Sequence, residues 1–190
     1  AALQGEAPRA AGTPYANRFA DPAWSKFPFN VLAESFISVS DWAREAVRKS
    51  LVLLKNENQL LPLPASAKIL VTGPGAHDIG QQSGGWTLSW QGTGNSREHF
   101  PHGESIFEGL AAALEAGGGQ AVLSEDGNWS ETPDAAIVVY GEGPYAEGVG
   151  DRANVDYAPA DGLELLQRLK AAGIPTVSVF LSGRPLWVNP

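Results

Sequence analysis

The sequence predicts an α/β fold in which a mostly parallel sheet lies between two layers of helices. Three observations predict it: short β-branched runs alternate with helical patterns, one run (AAIVVY, 135–140) is apolar throughout, and glycine-rich stretches follow the runs. A continuous apolar strand is typical of a sheet that is covered on both faces. Strands that alternate with helices favour parallel pairing. A chain of 190 residues is long enough to bury one such core.

The chain before the first strand divides into two parts. Residues 1–38 contain prolines and several aromatic residues without a sustained period, which predicts an arm that lies against a surface. A helix is expected to follow an N-cap at Ser40 and to extend through Leu54, because apolar residues recur there at helical spacing.

The remaining elements alternate regularly. Helices are predicted over 104–116 and 162–173, and the second is expected to bury Leu163, Leu166 and Leu169 on one side. Strands are predicted at 68–72, 120–124, 135–140 and 176–181.

Ligands of such a sheet bind beyond the carboxyl ends of its strands. Two segments of this chain fall there: the glycine-rich loop 73–103 after the first strand, and the segment 141–157 after the apolar run. These two segments are therefore the candidate functional regions.

Composition excludes several classes of partner. The net charge is -8, from 13 basic and 21 acidic residues, which disfavours nucleic acid and anionic membranes as partners. The absence of cysteine excludes disulfides and thiolate metal sites. No apolar run approaches the roughly 20 residues that a membrane helix needs.

Three kinds of site are disfavoured by their motifs. Gly73-Pro74-Gly75 follows a strand as a nucleotide loop does, but Asp78 stands where a further glycine is needed and no Walker-type lysine follows. The candidate serine nucleophiles lack the Gly-x-Ser-x-Gly turn; they are Ser83, Ser105 and Ser182. The histidines are expected to be surface loop residues, so that no metal site and no cofactor is predicted; they are His77, His99 and His102.

Two pairs of residues suggest a carbohydrate site. Trp86 and Trp90 lie among glycines, where exposed indoles can stack on sugar rings, although both rings could equally pack the loop onto the domain. Glu142 and Glu147 lie in a glycine-framed loop, and glycoside hydrolysis generally needs two carboxyl groups. Nearby aromatic surface can raise the pKa of such a glutamate by desolvation, as a general acid requires. The alternative is that both glutamates are simply solvated.

Four motifs, in this order, resemble the second domain of family 3 glycoside hydrolases. The resemblance is closest to the branch of exo-acting β-glucan glucohydrolases and β-glucosidases, and PYAN at 14–17 resembles the end of the linker that precedes that domain. The motifs are AREAVRKSLVLLKNENQLLPL (43–63), GGWTLSWQG (84–92), GEGPYAEGVGD (141–151) and LSGRPL (181–186).

The resemblance implies that the catalytic residues come from two domains. In that family a (β/α)8-type barrel supplies the aspartate nucleophile, and the second domain supplies the acid/base glutamate within a motif like GE-x-PY-x-E. This role is carried onto Glu147, with Glu142 as the fallback. The tryptophan that stacks the neighbouring sugar is carried onto Trp90, with Trp86 as its supporting neighbour.

The resemblance also implies what surrounds the site. An interdomain arm at 1–38 is expected to lead into an α/β three-layer sandwich at 39–190, truncated relative to the family domain and lacking the barrel. The expected reaction is retaining hydrolysis of terminal β-D-glucosyl residues, and the chain alone is expected to be inactive.

The expected partners are β-glucosides or β-gluco-oligosaccharides and the missing barrel, and the expected location is the periplasm or outside the cell. The alternative function is a non-catalytic carbohydrate-binding or interaction module.

Overall fold

A computed structural model describes residues 36–157 and 161–188, with backbone alone for 36–41 and 161. The chain divides into two compact units, Ala1–Glu57 and Asn58–Pro190. Most of the predicted arm lies outside the described residues, so its boundary at residue 38 stays a prediction.

The first unit contains helix α1, Phe36–Ser50. The helix predicted here is confirmed, but both of its predicted ends are wrong. An N-cap has a non-helical backbone, whereas Ser40 lies inside the helix. At the other end the Ser50 hydroxyl donates to the Val47 carbonyl oxygen at 2.8 Å, and Arg48 and Lys49 occupy the last turn, where cations interact favourably with the helix dipole.

The second unit is built on a four-stranded sheet in which every pair of neighbours is parallel. The strands are β1 (Lys68–Thr72), β2 (Gln120–Leu123), β3 (Ala135–Gly141) and β4 (Thr176–Leu181), in the order β2-β1-β3-β4. The predicted parallel sheet is thereby confirmed. All four strands end at the same edge, which is where the two candidate segments begin.

Among the described residues of this unit, three helices accompany the sheet: α2 (Ile79–Ser83), α3 (Ile106–Ala116) and α4 (Asp161–Ala171). Short 3-10 turns lie at Glu57–Gln59 and Arg97–His99. Helix α3 begins with a capping box, in which the Ser105 hydroxyl accepts from the Glu108 N–H at 3.2 Å and the Glu108 carboxylate accepts from the Ser105 N–H at 2.8 Å. Such reciprocal bonds satisfy two N–H groups at the helix terminus.

Alternate residues of the central strands enter two separate cores, which makes the fold a three-layer sandwich. Ile69 and Val71 of β1 pack with Leu114 of α3 on one face. Leu70 of the same strand packs with Leu165 and Leu169 of α4 on the other face. Because both faces are covered, the central strands are apolar at nearly every position.

The predicted buried side of α4 is confirmed for Leu169 and in part for Leu166, which packs partly buried against the same core, but it is wrong for Leu163. Leu165 and Leu169 are 8% and 1% exposed, whereas Leu163 is 51% exposed. The reason lies at Gly162, where an added Cβ would come within 2.4 Å of the Tyr140 ring. Gly162 lets the helix approach β3 closely, and the residues three and seven positions later then share its face.

This orientation predicts unequal costs for two leucines of one helix. We expect Leu169→Ala to lower the free energy of unfolding by at least about 2 kcal/mol, because it leaves a cavity in the core. Leu163→Ala is the matched control, and it is expected to change stability by no more than about 0.5 kcal/mol. Urea unfolding of both variants measures the difference. Similar losses in the two would contradict the observed orientation of α4.

None of the described helices combines the length and the apolar character that a membrane crossing requires.

Candidate active site

Two loops meet at the carboxyl edge of the sheet. We call residues 84–92 the tryptophan loop and residues 141–151 the glutamate loop. Asp78 starts the short helix that leads to the tryptophan loop, because its side chain accepts from the Gln81 N–H at 3.0 Å. The loops touch backbone to backbone: a Cβ on Gly85 would lie 1.9 Å from the Tyr145 carbonyl oxygen. Only glycine fits such a close approach.

The tryptophan loop is folded back on itself. Trp86 and Leu88 have φ values of 57° and 61°, a left-handed conformation that is unusual for bulky residues and is associated with functional sites. The Trp86 N–H donates to the Trp90 carbonyl oxygen at 2.9 Å, which closes the turn. As a result, the centroids of the two indole rings are 6.3 Å apart.

Both indoles donate to the same carboxylate oxygen. Nε1 of Trp90 lies 2.8 Å from Glu147 Oε2, and Nε1 of Trp86 lies 3.1 Å from it. The two residues are 55% and 70% exposed, so more than half of each lies open to solvent. The hydrogen bonds therefore bring together Trp86, Trp90 and Glu147, three residues that the sequence predicted for the site.

The indoles change the acidity of Glu147 in the direction opposite to the predicted one. The hydrogen bond from Trp90, together with a backbone N–H and the bond from Trp86, holds the pKa of Glu147 below its ordinary value, and desolvation only partly offsets them. The expectation of a raised pKa is wrong for this chain. Donors to a carboxylate favour its ionised form, and the exposed carboxyl loses little hydration.

Gln91 also holds the glutamate loop, although sequence reasoning missed it. Its Nε2 donates to the Glu147 carbonyl oxygen at 2.8 Å, and its Oε1 accepts from the Ala146 N–H at 2.8 Å. The carboxamide thus bonds to the backbone at both ends of the segment formed by Ala146 and Glu147. Its position directly after Trp90 is the only signal in the sequence.

Glu142 anchors the base of the glutamate loop. Its Oε2 accepts from the Tyr145 hydroxyl at 2.8 Å and from the Ser182 hydroxyl at 2.7 Å. Its Oε1 lies 3.3 Å from Arg152 Nη1 and 3.5 Å from Arg184 Nε. Burial raises the pKa of Glu142, but these hydroxyl donors and guanidinium charges outweigh it, so that its pKa lies below the ordinary value.

Arg184 completes this anchor from the segment after β4. Its guanidinium carbon lies 4.1 Å from the centroid of the Tyr145 ring, and its Nε donates to the Tyr145 hydroxyl at 2.6 Å. A cation over an aromatic face is attracted by the ring quadrupole. The two glutamates therefore sit in different surroundings: Glu142 is enclosed by cations and hydroxyls, and Glu147 is exposed beside two indoles.

The residues that the sequence disfavoured have structural contacts. The backbone N–H groups of Gly73 and Gly75 donate to the Glu125 and Val139 carbonyl oxygens, so these two donors do not face a phosphate. His77 Nδ1 lies 2.7 Å from the hydroxyl of Ser105, which caps α3. Over residues 36–157 and 161–188, no group of three or more His, Cys, Asp and Glu side chains could hold a metal ion.

Comparison with known proteins places this geometry in a family. The model of the glycosyl hydrolase family 3 C-terminal domain matches residues 51–190. A lysosomal beta glucosidase of Dictyostelium discoideum is 33% identical over 166 residues, which cover 78% of this chain and 20% of that protein. The periplasmic beta-glucosidase of Salmonella typhimurium is 28% identical over 187 residues, which cover 84% of this chain and 24% of that protein.

A solved structure has the same fold as this chain. The exo-1,3/1,4-beta-glucanase of a Pseudoalteromonas species is 49% identical, with a TM-score of 0.80, over 90% of this chain and 21% of that chain. The chain thus spans 20–24% of the length of these three relatives. Because the family model matches well over half of the chain, the chain belongs to glycoside hydrolase family 3 and has the fold of its C-terminal domain.

Proposed function

We propose that this chain is the acid/base domain of a retaining, exo-acting β-glucosidase or β-glucan glucohydrolase that hydrolyses terminal β-D-glucosyl residues. The observation that carries the proposal is the exposed Glu147 carboxyl held by two exposed indoles. A carboxyl group beside aromatic faces suits a sugar substrate, because indoles stack on the apolar faces of pyranose rings. The activities named for the relatives are of the same kind.

Glu147 would act twice in a retaining mechanism. Its pKa is lowered in this chain, but the like charge of a nearby nucleophilic carboxylate would raise that pKa and favour the protonated form. Glu147 would then protonate the glycosidic oxygen while the nucleophile attacks, and afterwards deprotonate the water that hydrolyses the glucosyl-enzyme. The nucleophile is a second carboxyl group, about 5–5.5 Å from the acid/base carboxyl group. Glu142 is paired with Arg152 and Arg184, which suits anchoring the loop. Following the resemblance to family 3 enzymes, we assign the nucleophile to an aspartate of a barrel domain outside this chain. Glu142 remains only the fallback for the acid/base role.

The indoles would form the wall of the site that receives the leaving sugar. Trp90, the less exposed of the two, would provide the stacking face, and Trp86 would support it at a centroid distance of 6.3 Å. The substrates would be β-glucosides or β-gluco-oligosaccharides. Such substrates and the lysosomal and periplasmic relatives support a location in the periplasm or outside the cell.

The stereochemistry of the first product tests this proposal. The complete enzyme that contains this chain is expected to release β-glucose first from an aryl β-glucoside and from laminaribiose, as proton NMR of the anomeric signals measures. The chain alone is expected to release none, because it holds only one of the two reacting carboxyls. Release of α-glucose, or turnover by the chain alone, would contradict the proposal.

A second candidate function is a non-catalytic carbohydrate-binding or interaction module, and the exposure of both indoles favours it. Tryptophan fluorescence of the chain alone, titrated with glucose, cellobiose and laminaribiose, separates the two. Saturable binding without a barrel would favour the module, whereas the acid/base proposal predicts no saturable binding.

A further inference from the structure

The two indole N–H groups of Trp86 and Trp90 converge on one oxygen of Glu147, Oε2, and neither of them bonds to Oε1. A carboxylate oxygen has two lone-pair positions. At Oε2, Trp86 and Trp90 occupy both of them at 3.1 and 2.8 Å. The two oxygens of this carboxyl are therefore no longer equivalent.

Building on the proposed function, we infer that Trp86 and Trp90 are positioning residues that confine the transferable proton of Glu147 to Oε1. This role is separate from the stacking of a sugar, because it depends on the indole N–H groups and not on the ring faces.

The donor-only character of indole supports this assignment. An indole N–H cannot accept a hydrogen bond, so a proton on Oε2 would point at groups that only donate. A proton on Oε1 keeps both indole bonds. In the first step the Oε1–H bond breaks and the proton passes to the glycosidic oxygen, while the bond from that oxygen to the anomeric carbon breaks and the nucleophilic carboxylate bonds to the anomeric carbon. In the second step Oε1 takes a proton from water, the water oxygen bonds to the anomeric carbon, and the nucleophilic carboxylate leaves.

The backbone around Glu147 is expected to keep its position when one indole N–H is removed. The Gln91 carboxamide bonds to the Ala146 N–H and to the Glu147 carbonyl oxygen, and these bonds do not involve the Glu147 carboxyl. Among the described residues, the groups that act on the pKa of Glu147 are the two indoles and its own backbone N–H, with no charged side chain from either loop. The indoles can therefore be tested without a change in charge.

Substitution by phenylalanine keeps an aromatic face and removes the N–H. In the full chain, the Glu147 ¹³Cδ signal is followed against pH in the unsubstituted protein and in Trp90→Phe, Trp86→Phe and the double variant. We expect each loss of a donor to raise the pKa of Glu147, more for Trp90→Phe, with its shorter bond, than for Trp86→Phe, and most for the double variant. Trp187→Phe is the matched control, since Trp187 is similarly exposed (58%); it is expected to leave the midpoint unchanged.

Two outcomes would overturn the inference: a midpoint that does not rise in the variants, or an equal rise in Trp187→Phe. A measurement without substitutions gives a second test, in which the indole N–H signals of Trp86 and Trp90 are expected to move with the same midpoint as Glu147. Independent midpoints would also overturn it.

In the complete enzyme, the alkaline limb of kcat/KM is expected to shift to higher pH in the same order of variants. The titration needs no activity, so it separates two failures. An enzyme without glycosidase activity would refute the proposed function, whereas an active enzyme with an unmoved titration would refute the positioning role alone.

Discussion

Glu147→Gln in the complete enzyme is expected to lower kcat/KM for laminaribiose and cellobiose about 10²–10⁴-fold, the usual contribution of a general acid. A sugar alkoxide leaves only if its oxygen is protonated, and glutamine does not supply that proton. A dinitrophenyl β-glucoside has a leaving group that needs no such help, so its kcat/KM is expected to change little. Its kcat is expected to fall because water is no longer deprotonated, and azide, which needs no base, is expected to restore it.

Glu142→Gln is the matched control, because it changes the same chemical group on the same loop. It removes the charge that faces Arg152 and Arg184 and so loosens the loop. We therefore expect similar losses on both classes of substrate. A selective loss on poor leaving groups in Glu142→Gln, together with an equal loss on both in Glu147→Gln, would move the acid/base role to Glu142.

Gly85→Ala is expected to separate the tryptophan loop from the glutamate loop. The new Cβ would lie 1.9 Å from the Tyr145 carbonyl oxygen and 2.6 Å from its carbon, and both of those atoms belong to backbone. No side-chain rotation relieves this overlap, so one loop has to move by about an ångström. A misplacement of this size costs about 10²-fold in activity, and overpacking lowers stability by about 1–3 kcal/mol.

Gly143→Ala provides the comparison within the glutamate loop. A Cβ at this position has no heavy atom within 4 Å, so stability is expected to change by no more than about 0.5 kcal/mol. Thermal unfolding of the chain and the indole N–H signals of the tryptophan loop measure both variants. Unchanged unfolding and unchanged indole signals in Gly85→Ala would show that the loops do not meet as described.

The sheet was predictable because its strands carry strong local signals. The run from Ala135 to Tyr140 is apolar at every position, and the observed strand Ala135–Gly141 follows it closely. The orientation of α4 was not predictable in the same way. The leucines of α4 define more than one stripe at helical spacing. Which stripe is buried depends on the close approach of Gly162 to the Tyr140 ring, and Tyr140 is distant in sequence.

The site was predictable in its place but not in its contacts. Parallel strands carry the loops after them to one edge, so the two loops were expected to be neighbours. The hydrogen bond from Trp90 to Glu147, 57 positions away, depends on the left-handed backbone at Trp86. Tryptophan does not favour this conformation, so the sequence did not predict it. For the same reason the direction of the Glu147 pKa was missed, since it is set by these donors. The catalytic roles of Glu147, Trp86 and Trp90 themselves stay predictions.

The tryptophan loop and the glutamate loop depend on each other for their conformation. Gly85 contacts the Tyr145 backbone, and Gln91 bonds to the backbone of Ala146 and Glu147. Because Gly85 meets backbone atoms of Tyr145, a tryptophan loop taken from a relative is expected to fit best against the glutamate loop of that same relative. Recombination that exchanges residues 84–92 or 141–151 singly between relatives is then expected to yield poor enzymes. Exchange of both together keeps the contacts between them, so the pair is the smallest exchange that we expect to preserve the position of Glu147 beside the two indoles.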